Sequence, residues 1–426
     1  MLRRSMRQAL GPADIFADLL DGIIRHEGGS GNLGQLRLRL AAPVTDVASV
    51  ERAWRALGQQ AWTLGARFRR GLRGAALHTS GPVALTIEHA DRMEAAAAAH
   101  LAQGTGAHLM RLAVGNEGAV LTWDHRLCDA RGAAGVLAAL PALAQGHRLG
   151  EPWWTADYRW VPGVPRAARV RGPMAQQAMP LLIPHRLVRL WRPLAPRRRS
   201  PANPAAPVAT CTTTLGVADT AIFQARQRQA TGRMAETPFL LACVAAALEA
   251  ARGVDGDVLM PLTVDLREGG EKRLLANCHG YCFLRLPAGL ASRDLVAAAT
   301  HLKQAHRAWI AADGLVKLSA SMSWFGHLPR RLARDQLGNH RAGVWASCVV
   351  ANAGASPLDA TWFGAPVIGI DHAACIPGTP GLGVLFHRDA RGLGFGTLAS
   401  GRVITALPPR RFAELLRWQL LERPLA

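Results

Sequence analysis

Residues 121–140, LTWDHRLCDARGAAGVLAAL, join a short apolar strand to a helix through a polar junction that carries His125 and Asp129. Residues 119–123 (AVLTW) are apolar and β-branched enough for a buried strand. Residues 130–140 repeat apolar side chains at helical spacing, and Pro141 is expected to stop that helix. A histidine leaving the end of a strand can point its ring into a cleft, while an aspartate at the following turn can hold the turn in shape. Asp129 directly precedes the helix, so a second reading makes it only an N-cap, with His125 an ordinary strand-end residue.

The residues WDHRLCDARGA resemble the H-H-x-x-x-D-G signature of the chloramphenicol acetyltransferase superfamily, with Asp124 in place of the first His, Ala130 in place of the Gly, and Gly132 two residues late. That superfamily includes condensation domains of peptide synthetases, plant-type acyltransferases, wax ester synthases and dihydrolipoyl acyltransferases. The segment Val264-Asp265-Leu266-Arg267, followed by Asn277 and Gly280 before a strand, is similar to the V-D-L-R and Asn/Gly segment in the second half of condensation-like acyltransferases. Most of the chain follows the His motif, unlike the dihydrolipoyl branch, where the motif lies near the chain's end.

The resemblance implies an α/β fold of two chloramphenicol acetyltransferase-like lobes, each a mixed sheet with helices, meeting at a central tunnel. It places the first lobe at 1–165, an Arg/Pro-rich crossover at 166–208, and the second lobe at 209–426. It also implies that His125 is the general base, and that Asp129 is structural and pairs with Arg267. Asp124 either shapes the loop without harm or, as a carboxylate beside His125, raises its pKa and leaves a non-catalytic binding lobe. Ser347 and Asn352 fall where some acyltransferase branches carry a Ser/Asn-rich turn near the tunnel, which makes them oxyanion candidates.

The implied activity is acyl transfer from acyl-coenzyme A or an acyl carrier protein to an alcohol. The alternatives are an amide-forming condensation on carrier-bound substrates and an inactive homologue that binds an acyl or carrier partner. No cofactor is expected beyond the thioester itself. The net charge of +20 suits either donor, one a polyphosphate and the other usually acidic. Nearly all of it is arginine, since Lys272, Lys303 and Lys317 are the only lysines.

A nucleic-acid partner is not expected, because the chain has two Tyr and neither a zinc-finger spacing nor an aromatic RNA-binding cluster. No window reaches the run of about 20 apolar residues that a membrane span needs. The seven cysteines are odd in number and scattered through apolar runs, which predicts free thiols in a reduced, cytoplasmic protein. Cys278-His279-Gly280-Tyr281-Cys282 lacks a second ligand pair, so it is read as alternating strand residues and no metal site is expected. Asp371-His372 repeats the Asp-His dipeptide with Ile376 where an Asp would be needed, and is read as a loop. From Arg159 to Ala218 there is no acidic residue, and the 166–199 stretch is basic and amphipathic. It reads either as a peripheral membrane contact or as a solvated linker.

Strands are expected at 33–40, 83–89, 108–114, 210–215, 258–264, 344–350, 366–370, 383–386 and 394–398. Helical patterns cover 15–24, 47–62, 221–231, 237–252, 295–310 and 412–421.

Overall fold

A computed structural model describes residues 6–71, 74–79, 81–148, 208–233, 235–254, 256–267, 275–329, 331–332, 346–377, 380–401 and 403–425. The expected crossover, including the basic 166–199 stretch, lies outside the described residues apart from its last position. The strands in chain order are β1 (Met6–Ala9), β2 (Leu33–Leu40), β3 (Arg67–Gly71), β4 (Gly74–Thr79), β5 (Ile87–His89), β6 (Met110–Gly115), β7 (Gly118–Asp124) and β8 (Val208–Leu215). They continue with β9 (Val258–Asp265), β10 (His279–Leu286), β11 (Val349–Ala355), β12 (Thr361–Trp362), β13 (Ala365–Ala374), β14 (Leu382–Asp389) and β15 (Gly392–Ser400).

Two six-stranded mixed sheets dominate, in the orders β12-β13-β2-β7-β6-β5 and β10-β9-β11-β14-β15-β8. A smaller sheet orders β1-β4-β3. The expected mixed α/β architecture with two sheets is therefore present. The strand order adds a crossing that local sequence pattern does not show. β12 and β13 come from the second half of the chain, yet β13 runs antiparallel to β2, with His372 opposite Leu36 and Ala374 opposite Gly34.

The alternating β2 buries Leu36, Leu38 and Leu40 and leaves Arg39 exposed, as its period-two pattern requires. The core of the first lobe also takes side chains from the second half, among them Leu275, Leu318, Phe325 and Trp362. The second lobe packs around the helix Glu236–Arg252, whose residues from Phe239 to Glu249 are all buried. Its run of alanines lets neighbouring helices approach closely. Its one buried acid, Glu249, accepts hydrogen bonds from the Gly289 and Ser292 backbone amides and the Ser292 hydroxyl. Among the described residues, no single helix is long and apolar enough to cross a membrane.

Several expectations are corrected. The helix after Asp129 runs through Pro141 to Ala144. Pro141 has no N–H to give the Leu137 carbonyl one turn back, and the Trp362 indole donates to that oxygen instead, at 3.1 Å. Only residues 87–89 of the 83–89 segment form a strand, because Val83 and Leu85 pack onto Gly58 and Gly65. The strand expected at 344–350 begins at Val349. Asp371 and His372 lie inside β13 rather than in a loop. The helices Met93–Gln103 and Gly314–Phe325 were not anticipated; the first is a run of alanines with no apolar stripe to read.

Replacing Trp362 with Phe should cost about 1–3 kcal/mol through the orphaned Leu137 carbonyl, in addition to lost packing. In a Pro141→Ala background, which restores the missing N–H, urea denaturation should show a smaller penalty for the same change.

Candidate functional site

β7 ends at Asp124, and the chain crosses the junction to the helix at Ala130 with both backbone groups of His125 held. The His125 amide donates to the Asn32 carbonyl at 2.8 Å. The His125 carbonyl accepts from Asn277 Nδ2 at 2.7 Å, and the same amide group donates to Asp14 Oδ1 at 2.8 Å. Asn277 thus reaches from the second half of the chain to fix the residue on which the first motif turns. The His125 ring stands edge-on to Trp123, centroids 5.5 Å apart. Gly34 of β2 leaves the space for both rings: a Cβ there would lie 2.3 Å from the Trp123 ring and 2.9 Å from His125 Nε2.

His125 lines a cavity of about 160 Å³ that opens to solvent between the two large sheets. The first lobe contributes Trp123 and Asp129 to its wall, and the second lobe contributes Thr263, Asn352 and Phe386. Burial pushes the His125 pKa down to about 4, with the neighbouring His279 adding to the effect and Asp129 opposing it. The imidazole is therefore neutral at pH 7.

Asp129 carries both roles considered for it. Oδ1 accepts from the Gly132 amide at 2.8 Å, an N-cap, and from Arg267 Nη2, also at 2.8 Å. Oδ2 accepts from the Cys278 amide at 2.9 Å, and His279 Nδ1 stands 3.6 Å away. Burial alone would raise the Asp129 pKa, but the His279 ring and the Arg267 charge outweigh it and hold the carboxyl well below the usual range. Arg267 also bonds Asp265 Oδ1 at 3.0 Å, and Asp265 pairs with Arg131 at the cavity wall. The result is an alternating row, Arg131, Asp265, Arg267, Asp129, stitched across the seam.

Asp124 is buried and paired with Arg126. It accepts from the Arg126 amide at 2.9 Å and from Arg126 Nη2 at 2.6 Å. Arg126 lies 4.2 Å over the Phe68 ring and is shared with Asp18 and Asp21. Of the two readings of Asp124, the structure carries the loop-shaping one. Burial lowers the His125 pKa, with His279 adding to the effect and Asp129 opposing it.

Ser347 is likewise displaced from the role expected of it. It is fully buried, its hydroxyl accepts from the Leu259 amide at 3.0 Å and its own amide donates to the Leu259 carbonyl at 2.7 Å, so it ties β9 to the approach of β11. Asn352 does line the cavity. Its Oδ1 accepts from the Gly354 amide at 3.0 Å, where β11 is interrupted by an irregularity, and the Nδ2 group remains as the donor end of the side chain.

Sequence reading missed two residues of this wall. β10 places His279 and Tyr281 on one face, His279 Nε2 lies 2.8 Å from the Tyr281 hydroxyl, and both line the cavity. The signal was the strand alternation itself, which puts them on the same side, while pairing with β9 sets His279 opposite Asp265. The seven cysteines are free, and no group of three potential metal ligands forms among the described residues.

Arg267→Ala should destabilise the protein by about 3–5 kcal/mol, because it leaves the Asp129 charge buried without its partner. A carboxyl held below its unfolded pKa stabilises above about pH 4 and loses that contribution as pH falls. Denaturant titrations from pH 6 to pH 3 should therefore show wild-type stability falling more steeply than that of the variant.

No protein-family model matches the chain, and no curated protein does. Among solved structures, the first condensation domain of the CDA synthetase is 18% identical over 99% of this chain and 97% of its own, with a TM-score of 0.67. The trichothecene 15-O-acetyltransferase TRI3 from Fusarium sporotrichioides is 12% identical over 98% and 96%, with a TM-score of 0.67. The starter condensation domain of rhizomide synthetase, in complex with C8-CoA, is 19% identical over 99% and 96%, with a TM-score of 0.61. Near-complete coverage in both directions shows that the chain shares the two-lobed, chloramphenicol acetyltransferase-like fold of condensation domains and acetyltransferases.

Proposed function

We propose that the protein is an acyltransferase that moves an acyl group from a thioester, carried by coenzyme A or an acyl carrier protein, to an alcohol. The observation that carries this reading is a neutral imidazole, His125, fixed at both backbone groups and set in the wall of a cavity between two lobes. The fold it shares with an O-acetyltransferase and with a condensation domain bound to C8-CoA supports the same class of donor. No cofactor enters the chemistry, since the thioester is already activated. Amide formation on carrier-bound substrates is the second reading, favoured by the likeness to the CDA condensation domain.

In this mechanism the acceptor hydroxyl attacks the thioester carbonyl as His125 takes its proton. The tetrahedral intermediate collapses, the carbon–sulfur bond breaks, and the imidazolium returns the proton to the departing thiolate. A base of low pKa takes the proton only as bond formation acidifies the acceptor, and it then becomes a strong acid for the sulfur. The Asn352 amide group is the candidate donor to the developing oxyanion. Holding both substrates in one cavity can supply up to roughly 7–11 kcal/mol of the barrier reduction. Arg131, Asp265 and Arg267 contribute position rather than proton transfer.

Thiol release from a panel of acyl thioesters, each paired with alcohols and amines, should detect turnover, and product mass should distinguish ester from amide. His125→Ala should lower the rate by about 10²–10⁴-fold with an unchanged melting profile. A saturable carrier interaction without turnover from any donor would refute the enzyme reading. Because the base form of His125 persists above about pH 4, kcat/KM should stay level from pH 8 down to about 5 and fall only near 4. An acid limb centred near 6.5 would contradict the burial of this ring.

A further inference from the structure

The cavity beside His125 has two unlike ends. Its floor is one face of the second lobe's sheet, because residues paired across neighbouring strands share a face. Toward β10 and β9 the floor is polar, with His279 opposite Asp265 and Tyr281 opposite Thr263. From β11 onward it is apolar. Val349 lies opposite Gly383 and Ala351 opposite Leu385, and Gly383 in turn lies opposite Leu398. The facing wall comes from β13 and the residues after it, Ala373 to Ile376, and His372 adds one buried imidazole. The two acids of the lining, Asp129 and Asp265, are paired with Arg267 and Arg131.

Ile376 closes the apolar end. A Cβ at Gly383 would lie 2.3 Å from Ile376 Cδ1, so the tip of the isoleucine rests on the floor at a position where only glycine leaves room. Its backbone is pinned on both sides. The Cys375 amide donates to the Leu33 carbonyl at 2.7 Å, and the Ile376 carbonyl accepts from the Ser400 hydroxyl at 3.1 Å. The side chain is buried in a cluster with Leu33, Cys375 and Leu398. A tip held in this way is a fixed wall.

That wall stands at a definite reach from the imidazole. Gly34, where a Cβ would lie 2.9 Å from His125 Nε2, is the ladder partner of Ala374, and Ile376 follows two residues later. Strand spacing and rise put Ile376 roughly 8 Å from Gly34, which leaves room for several carbons and no more. Apolar walls of this kind gain from covering hydrocarbon. They penalise a charge, which would give up water there without a partner.

We propose that the end of the cavity between β11 and β15 takes the aliphatic chain of the acyl donor, and that Ile376 is the stop that sets the length of that chain. The inference deepens the acyl-transfer reading above and rests on it. The substrate class is then an acyl group with an uncharged hydrocarbon tail, longer than acetyl and ending where it meets Ile376.

The test is isothermal titration calorimetry of the full chain with unreactive S-alkyl pantetheine thioethers, from ethyl to hexadecyl. Affinity should rise roughly fourfold with each added methylene until the tail meets the stop, and then level off or fall. Ile376→Ala, which frees the space of about three carbons, should move that break to longer chains by a similar number of methylenes. Ile376→Val should move it by about one and serves if the alanine variant does not fold. Ile376→Phe should move it to shorter chains. A terminal ammonium on the best-fitting tail should weaken binding at least about tenfold. Binding that does not depend on tail length, or a break that stays in place in the folded variants, overturns the stop and leaves thioester binding intact. An ammonium-tipped tail that binds as tightly as the plain one overturns the apolar assignment of this end. If no thioether of any length binds, the acyl reading falls and the stop falls with it.

Discussion

The carboxylate of Asp129 is the point on which the site depends. It caps a first-lobe helix through Gly132, accepts an amide from Cys278 of the second half, and pairs with Arg267 beyond the end of β9. A buried ion pair alone roughly breaks even, because both charges give up water. Here two backbone N–H groups and a guanidinium fill the carboxylate's acceptor sites, so the desolvated charge is compensated on every side. The consequence is geometric: the loop carrying His125 cannot shift without breaking bonds to the opposite lobe. Asn277 repeats the device one step away by joining the His125 carbonyl to Asp14.

Around this lock the sheets are shaped by what is left out. Gly34 permits the Trp123 and His125 rings to pack against β2, Gly394 leaves room for the His387 ring, and Gly396 lets the His372 backbone come close to β15. β13 carries the second half of the chain into the first lobe's sheet, so the lobes are bound by backbone ladder as well as by side chains. A cavity whose walls are interleaved in this way keeps its shape while the rest of the wall remains apolar. The few polar groups in it are therefore placed rather than incidental.

Much of this was readable before any coordinates. The strand, the cap and the helix around His125 follow from period and composition, and the two motifs, HRLCD and VDLR, were enough to expect the Asp129–Arg267 contact and the two-lobed fold. What escaped reading is non-local. Alternation in β13 gives a strand but not the sheet it joins, because the pairing with β2 is made across more than half of the chain. Pro141 reads as a helix stop, since a local rule cannot foresee that Trp362 will satisfy the carbonyl the proline abandons. Ser347 was expected near the tunnel from likeness to a Ser/Asn-rich turn of some acyltransferase branches, and its hydroxyl instead serves Leu259. His279 and Tyr281 were visible as strand residues, but their facing could be known only once β10 was paired with β9.

The central claim is that the reacting thioester sits at His125, between the lobes. A crystal structure of the protein soaked with a pantetheine thioether tests it most directly. The account predicts the sulfur within about 4 Å of the imidazole, with the two arms of the ligand leaving along the cavity in opposite directions. Ordered ligand bound elsewhere on the surface, with the cavity at His125 holding only water, would contradict it.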